Sequence, residues 1–143
     1  MKSIPLSLRF IFGFSVAGFL FSGFLAAVKL FSGACAFNET CPLFLGYPAC
    51  WYGFALYVTL LTLALLTVRE KISLTRGLAT LAIVSFIGVL FAGSLTMLEL
   101  SAYMARGFAA YTFGVPTCFL GLVFFMLIFV TAAISWSHEC QRN

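Results

Sequence analysis

Four stretches of this chain are nearly free of charge and long enough to cross a lipid bilayer, and they leave few options for the fold. They cover about residues 10–31, 50–68, 77–98 and 117–136. A helix needs about 20 apolar residues to traverse the roughly 30 Å hydrocarbon layer. Inside lipid a helix also satisfies every backbone N–H and C=O within its own segment. Composition agrees: 63% of the 143 residues are hydrophobic and 8% are charged, where a soluble domain carries about 25% charge. The polar residues are too few to cover a water-facing surface. The expectation is an all-α, integral membrane four-helix bundle, one transmembrane domain spanning 1–143 in a lipid bilayer, with little left over for a soluble unit.

The first run has features of a signal peptide, with Lys2 and Arg9 ahead of it and the small residues SGACA (32–36) behind. Its length exceeds the roughly 7 to 15 residues of a signal-peptide core, and Lys29 separates it from the small residues. It is therefore read as a retained helix. Basic residues flanking the spans predict orientation. Lys2, Arg9, Arg69, Lys71, Arg76 and Arg142 fall on one side, while Lys29 and Arg106 fall on the other, each near an acid, Glu39 or Glu99. Both termini and the middle connection are then cytoplasmic, and Cys35, Cys41, Cys50 and Cys118 belong to the outer or lumenal face, the oxidising compartment. This bias accounts for the net charge of +4, and no nucleic-acid footprint is present.

The chain also repeats itself. LGYPACWYG (45–53) and FGVPTCFLG (113–121) both fit G-x-P-x-C-x-x-G. LFSGFL (20–25) returns as LFAGSL (90–95), and Ser15 and Gly18 align with Ser85 and Gly88. The offset is 70 in the first helix of each copy and 68 in the second, so one small gap in a loop reconciles them. The expected architecture is two tandem helical hairpins of the same orientation, repeat 1 over about 6–68 and repeat 2 over about 76–136, related by an axis along the membrane normal. Gly18, Gly23, Gly88 and Gly93 are expected at helix contacts, where small residues let backbones approach in lipid.

In each repeated element, proline suits the first turn of a helix because its missing N–H is not needed there. Pro48 and Pro116 should open the second and fourth helices, with Cys50 and Cys118 in their first turns. A thiol at that place meets the positive end of the helix dipole and unpaired N–H groups, a setting that favours the reactive thiolate. Two readings stand: small packing residues inherited through duplication, or a redox or disulfide pair across the axis. Cys35 and Cys41, in CAFNETC (35–41), are spaced for a disulfide if the loop turns suitably, either structural or exchanging. Asn38-Glu39-Thr40 also forms a glycosylation sequon close to the membrane. His138, Glu139 and Cys140 read as a solvated tail rather than a metal site. No ionisable residue is expected deep within a span, and no catalytic triad, carboxylate pair or phosphate loop is visible. The 18 phenylalanines read as lipid-facing or core filler. The mid-span polar groups Ser15, Ser22, Thr59, Thr62, Ser85 and Thr96 can bond to their own helices.

Cys35 and Cys41 followed by GYPACWYGFALY (46–57) resemble the vitamin K epoxide reductase family and, more loosely, the quinone-linked disulfide-bond oxidases of bacteria. Gly46, Pro48, Gly53 and Tyr57 match the family's spacing. The family also places a C-x-x-C at the start of the last helix, where this chain has Cys118 alone in TCFLG (117–121). The resemblance implies a membrane thiol-disulfide oxidoreductase. Cys35 and Cys41 would exchange with an extracytoplasmic thioredoxin-like protein and hand electrons to Cys50 and Cys118. A quinone would accept them near Trp51, Tyr52 and Phe119, with Arg106 biasing a thiolate or the quinone oxygen. The alternative is a non-enzymatic membrane protein with structural cysteines: a scaffold, an accessory subunit or a transporter.

Overall fold

The computed structural model describes residues 5–33, 43–106 and 117–142, without the side chains of 102, 103 and 106. The described residues form a bundle of four helices, α1 (Leu6–Ser32), α2 (Ala49–Val68), α3 (Leu74–Arg106) and α4 (Thr117–Arg142). All four are long and apolar enough to cross a membrane. Between α1 and α2 lies a two-stranded antiparallel hairpin, β1 (Leu43–Phe44) and β2 (Tyr47–Pro48). Each helix packs on the next in chain order, and α4 closes the ring on α1. Faces turned away from the ring carry large apolar side chains such as Leu20, Phe24, Ile83 and Met97. A face of that kind is stable in lipid and not in water. Tyr47 and Trp51 stand exposed at one end and Trp136 at the other, as expected of aromatic side chains at the two lipid headgroup levels.

The core repeats with the sequence. Leu8, Ile11 and Ser15 of α1 are buried, and so are Leu78, Leu81 and Ser85 of α3. Tyr57, Leu60 and Ala64 of α2 are matched by Phe125, Ile128 and Ala132 of α4. These positions differ by the same 70 and 68 that align the two halves. The contacts repeat as well. A Cβ on Gly18 would strike the Tyr57 ring, and a Cβ on Gly88 would strike the Phe125 ring. Gly23 faces Phe54 as Gly93 faces Leu122. Lipid supplies no hydrophobic drive between helices, so association rests on such close packing. At the centre the two equivalent rings, Tyr57 and Phe125, stack with centroids 4.3 Å apart and planes 13° from parallel. The Tyr57 hydroxyl donates to the Gly121 carbonyl at 3.0 Å.

Boundaries differ from the expected ones in ways local chemistry explains. The third helix was expected to stop near residue 98, with Glu99 and Arg106 in a loop; α3 instead continues to Arg106. The stretch ELSAYMAR (99–106) contains good helix formers and no breaker before Gly107. Pro48 is not the first helical residue of α2 but its N-cap, one step earlier than expected. The preceding turn uses Leu45 (φ 51°) and Gly46 (φ 85°), the two positive φ values that a two-residue hairpin loop requires. Pro116 lies outside the described residues. At the other end of α2, the Lys71 N–H reaches the Leu66 carbonyl (3.0 Å) and the Glu70 N–H reaches that of Thr67 (3.1 Å). This is a Schellman closure with Glu70 in the left-handed position (φ 56°) where glycine is usual.

Candidate functional site

Cys50 and Cys118 occupy the first turns of α2 and α4, both half-buried and neither in a disulfide. Seven residues make about two helical turns, so Cys50 shares a helix face with Tyr57 and Cys118 with Phe125. Both thiols therefore stand about 10 Å along their helices from the stacked rings, at the bundle end that carries the β1–β2 hairpin. The Cys118 thiol also meets the neighbouring helix of its own half, donating to Glu99 Oε1 of α3 at 3.5 Å. Lys29 and Glu99 are equivalent positions in the two halves, 70 residues apart. The Lys29 ammonium also donates to the Gly33 carbonyl at 2.7 Å, over the C-terminus of α1.

Glu99 is the functional candidate that sequence reasoning missed. It was counted as a loop acid, whereas its side chain is only 4% exposed, within the candidate span Leu74–Ser101. A signal was present. Ala92 and Leu95 are buried on α3, and Glu99 continues their stripe at helical spacing. A carboxylate is costly at such a place unless it has hydrogen-bonding neighbours, and the Cys118 thiol is one.

Of the residues expected around a quinone, the side chains of Trp51, Tyr52 and Phe119 are described. Trp51 is 39% exposed and stacks on Tyr47 at 6.1 Å, and Phe119 is 43% exposed on α4. The Arg106 side chain lies outside the described residues, as do Cys35 and Cys41. Tyr52 lines an open apolar cleft of about 300 Å³ between α2, α3 and the hairpin. Its walls are Phe44, Tyr52, Ala55, Leu56, Thr59, Ile87 and Phe91. The Phe44 ring meets those of Tyr52 and Phe91 edge-on, each at 5.4 Å. Tyr52, Ala55, Leu56 and Thr59 form one stripe of α2, and Cys50 points about 160° away from Tyr52 around the helix. The cleft therefore opens on the flank of α2 turned away from Cys50.

The mid-span polar groups do not line a path. Ser15, Ser22, Thr59, Thr62, Ser85 and Thr96 each donate to the carbonyl four residues earlier, at 2.6 to 2.9 Å. Among the described residues no group of three or more His, Cys, Asp or Glu is placed to hold a metal ion. No protein-family model matches this chain, and no curated protein or solved structure does either.

Proposed function

We propose that the protein is a membrane thiol-disulfide oxidoreductase acting at the non-cytosolic face, with both termini cytoplasmic. One observation carries this reading: two cysteines at equivalent first-turn positions, neither in a disulfide, with the Cys118 thiol hydrogen-bonded to the buried Glu99. Four features support it: the dipole at the start of each helix, the resemblance to the vitamin K epoxide reductase family, the loop cysteines Cys35 and Cys41, and the excess of basic residues on the opposite side. In the proposed cycle an extracytoplasmic thioredoxin-like dithiol is oxidised by a Cys35–Cys41 disulfide. The resulting dithiol then reduces a Cys50–Cys118 disulfide. Each transfer forms one S–S bond, breaks another, and moves two electrons and two protons. Thiolate attack on sulfur is the chemical step.

A quinone, if bound, would supply the acceptor for those two electrons and two protons. The ring-lined cleft of Phe44, Tyr52 and Phe91 faces away from Cys50, so a quinone reduced by the thiols would lie outside it, at the end of the bundle where α2 and α4 begin. The test uses the full-length protein in membranes carrying Cys50→Ser or Cys118→Ser. Either substitution should abolish quinone-dependent oxidation of a dithiol substrate or trap a mixed disulfide. Full activity in both variants refutes the reading.

The second reading, a non-enzymatic scaffold or accessory subunit, is favoured by the closed axis. The Tyr57–Phe125 stack and the fully buried Leu60, Ala64, Ile128 and Ala132 fill the place where a transporter would need a path.

A further inference from the structure

The first turn of α4 brings a thiol and an enclosed carboxyl together. Cys118 is half-buried, Glu99 of α3 is almost wholly enclosed, and the thiol donates to Glu99 Oε1 at 3.5 Å. The repeat sets Lys29 at the place of α1 that matches Glu99, 70 residues earlier. An ammonium offers no lone pair to a proton, so this arrangement belongs to one half of the molecule. We propose that Glu99 is the proton partner of Cys118. Its carboxylate takes the thiol proton when Cys118 enters a disulfide and returns it when that disulfide opens. This rests on the oxidoreductase reading and deepens it by naming the group that moves one of its protons.

Neither cysteine is in a disulfide here, and in that state the Cys118 S–H donates to Glu99. A buried carboxylate is tolerated through its hydrogen-bond donors, and a disulfide sulfur has no proton to donate. Oxidation of Cys118 therefore removes a donor from Glu99 as it releases a proton, and Glu99 is within reach to take that proton up. Opening the disulfide runs the other way. A thiolate of the Cys35–Cys41 dithiol attacks the Cys50 sulfur and forms an S–S bond with it. The Cys50–Cys118 bond breaks, its electron pair goes to Cys118, and Glu99 protonates that sulfur as it leaves. A leaving thiolate that is protonated in place departs more readily. The second loop thiolate then closes the Cys35–Cys41 disulfide, and Cys50 leaves and takes its proton from water. Two electrons pass from the loop pair to the inner pair, and the loop thiols release two protons to water. Glu99 ends as the carboxylate that accepts the Cys118 S–H, ready for the proton that reoxidation of Cys118 sets free.

The experiment alkylates the full-length protein in lipid nanodiscs with iodoacetamide and follows Cys50 and Cys118 separately by peptide mass spectrometry. Alkylation consumes a thiolate and so releases the thiol proton, as disulfide formation does. Glu99→Gln keeps the size of the side chain and still accepts a hydrogen bond, but it cannot take a proton. It should slow Cys118 about tenfold, a modest part of the roughly 10²–10⁴ that a positioned acid or base contributes, and leave Cys50 unchanged. Glu99→Asp, which keeps the carboxyl, should recover part of the rate. Infrared difference spectra give the second measurement. Alkylation of the native chain should raise a protonated-carboxyl band that is absent from Glu99→Gln and from Cys118→Ala given the same reagent. A purely structural Glu99 would change both cysteines together when replaced and give no such band. Either result, or a Cys118 in Glu99→Gln that reacts as fast as the native one or faster, overturns the proposal. Neither measurement needs a disulfide or a quinone, so they can fail while the cysteine-to-serine activity test succeeds, and the reverse is also possible.

Discussion

Tyr57 and Phe125 occupy equivalent positions and stack on one another, yet only Tyr57 carries a hydroxyl, which reaches the Gly121 carbonyl. Removing that hydroxyl by Tyr57→Phe deletes a part-buried hydrogen bond while keeping the ring, at a cost of about 1 kcal/mol. Denaturant unfolding in detergent micelles should register the loss. Glu70 is the opposite case. As a non-glycine residue at φ 56° closing α2, it carries a steric cost of about 1 kcal/mol that glycine lacks. Glu70→Gly should therefore raise the melting temperature, and an unchanged or lowered value would show that the Glu70 side chain contributes something the closure does not require. Glu99 was overlooked in the sequence because a single acid beside a loop reads as solvated. What buries it is the continuation of the α3 stripe past the expected end of the span.

The helices were legible because charge-free runs of this length have one stable form in lipid, and the repeat was legible because both the small residues and the proline-cysteine element recur. The ends were less so. Nothing in ELSAYMAR stops a helix, and a chain without breakers keeps its hydrogen-bond ladder beyond the apolar run. The short β1–β2 hairpin was not anticipated. Its turn combines Gly46 with Leu45, a residue type that seldom adopts positive φ. Glycines separate two roles at this scale. Gly18 accepts the Tyr57 ring where a side chain would stand, whereas Gly13 on the same helix has nothing within 4 Å of a built Cβ. Gly18→Val should destabilise the bundle severely, by 3 kcal/mol or more on the scale of overpacked cores (about 1–3 kcal/mol, with larger values where backbone must move). Gly13→Ala should be neutral or stabilising by up to about 1 kcal/mol. Thermal unfolding of the two variants side by side checks the contrast, and equal effects would mean that the helices do not meet at Gly18.

Across the whole molecule, two hairpins of like orientation surround an axis closed by side chains, with their cysteines at one end. The excess of Lys and Arg at the other end leads to the expectation that Cys140 is labelled by membrane-impermeant reagents only from the cytosolic side, and Cys50 and Cys118 only from the opposite side; the reverse pattern would invert the proposed orientation. The measurement that bears most directly on the redox function is the state of Cys50 and Cys118 in proteoliposomes before and after a short-chain oxidised quinone is added, read by thiol labelling. Both thiols should become unreactive together on addition of the quinone and return with a reductant. Two thiols that stay free throughout, with the quinone shown to have entered the bilayer, would contradict it.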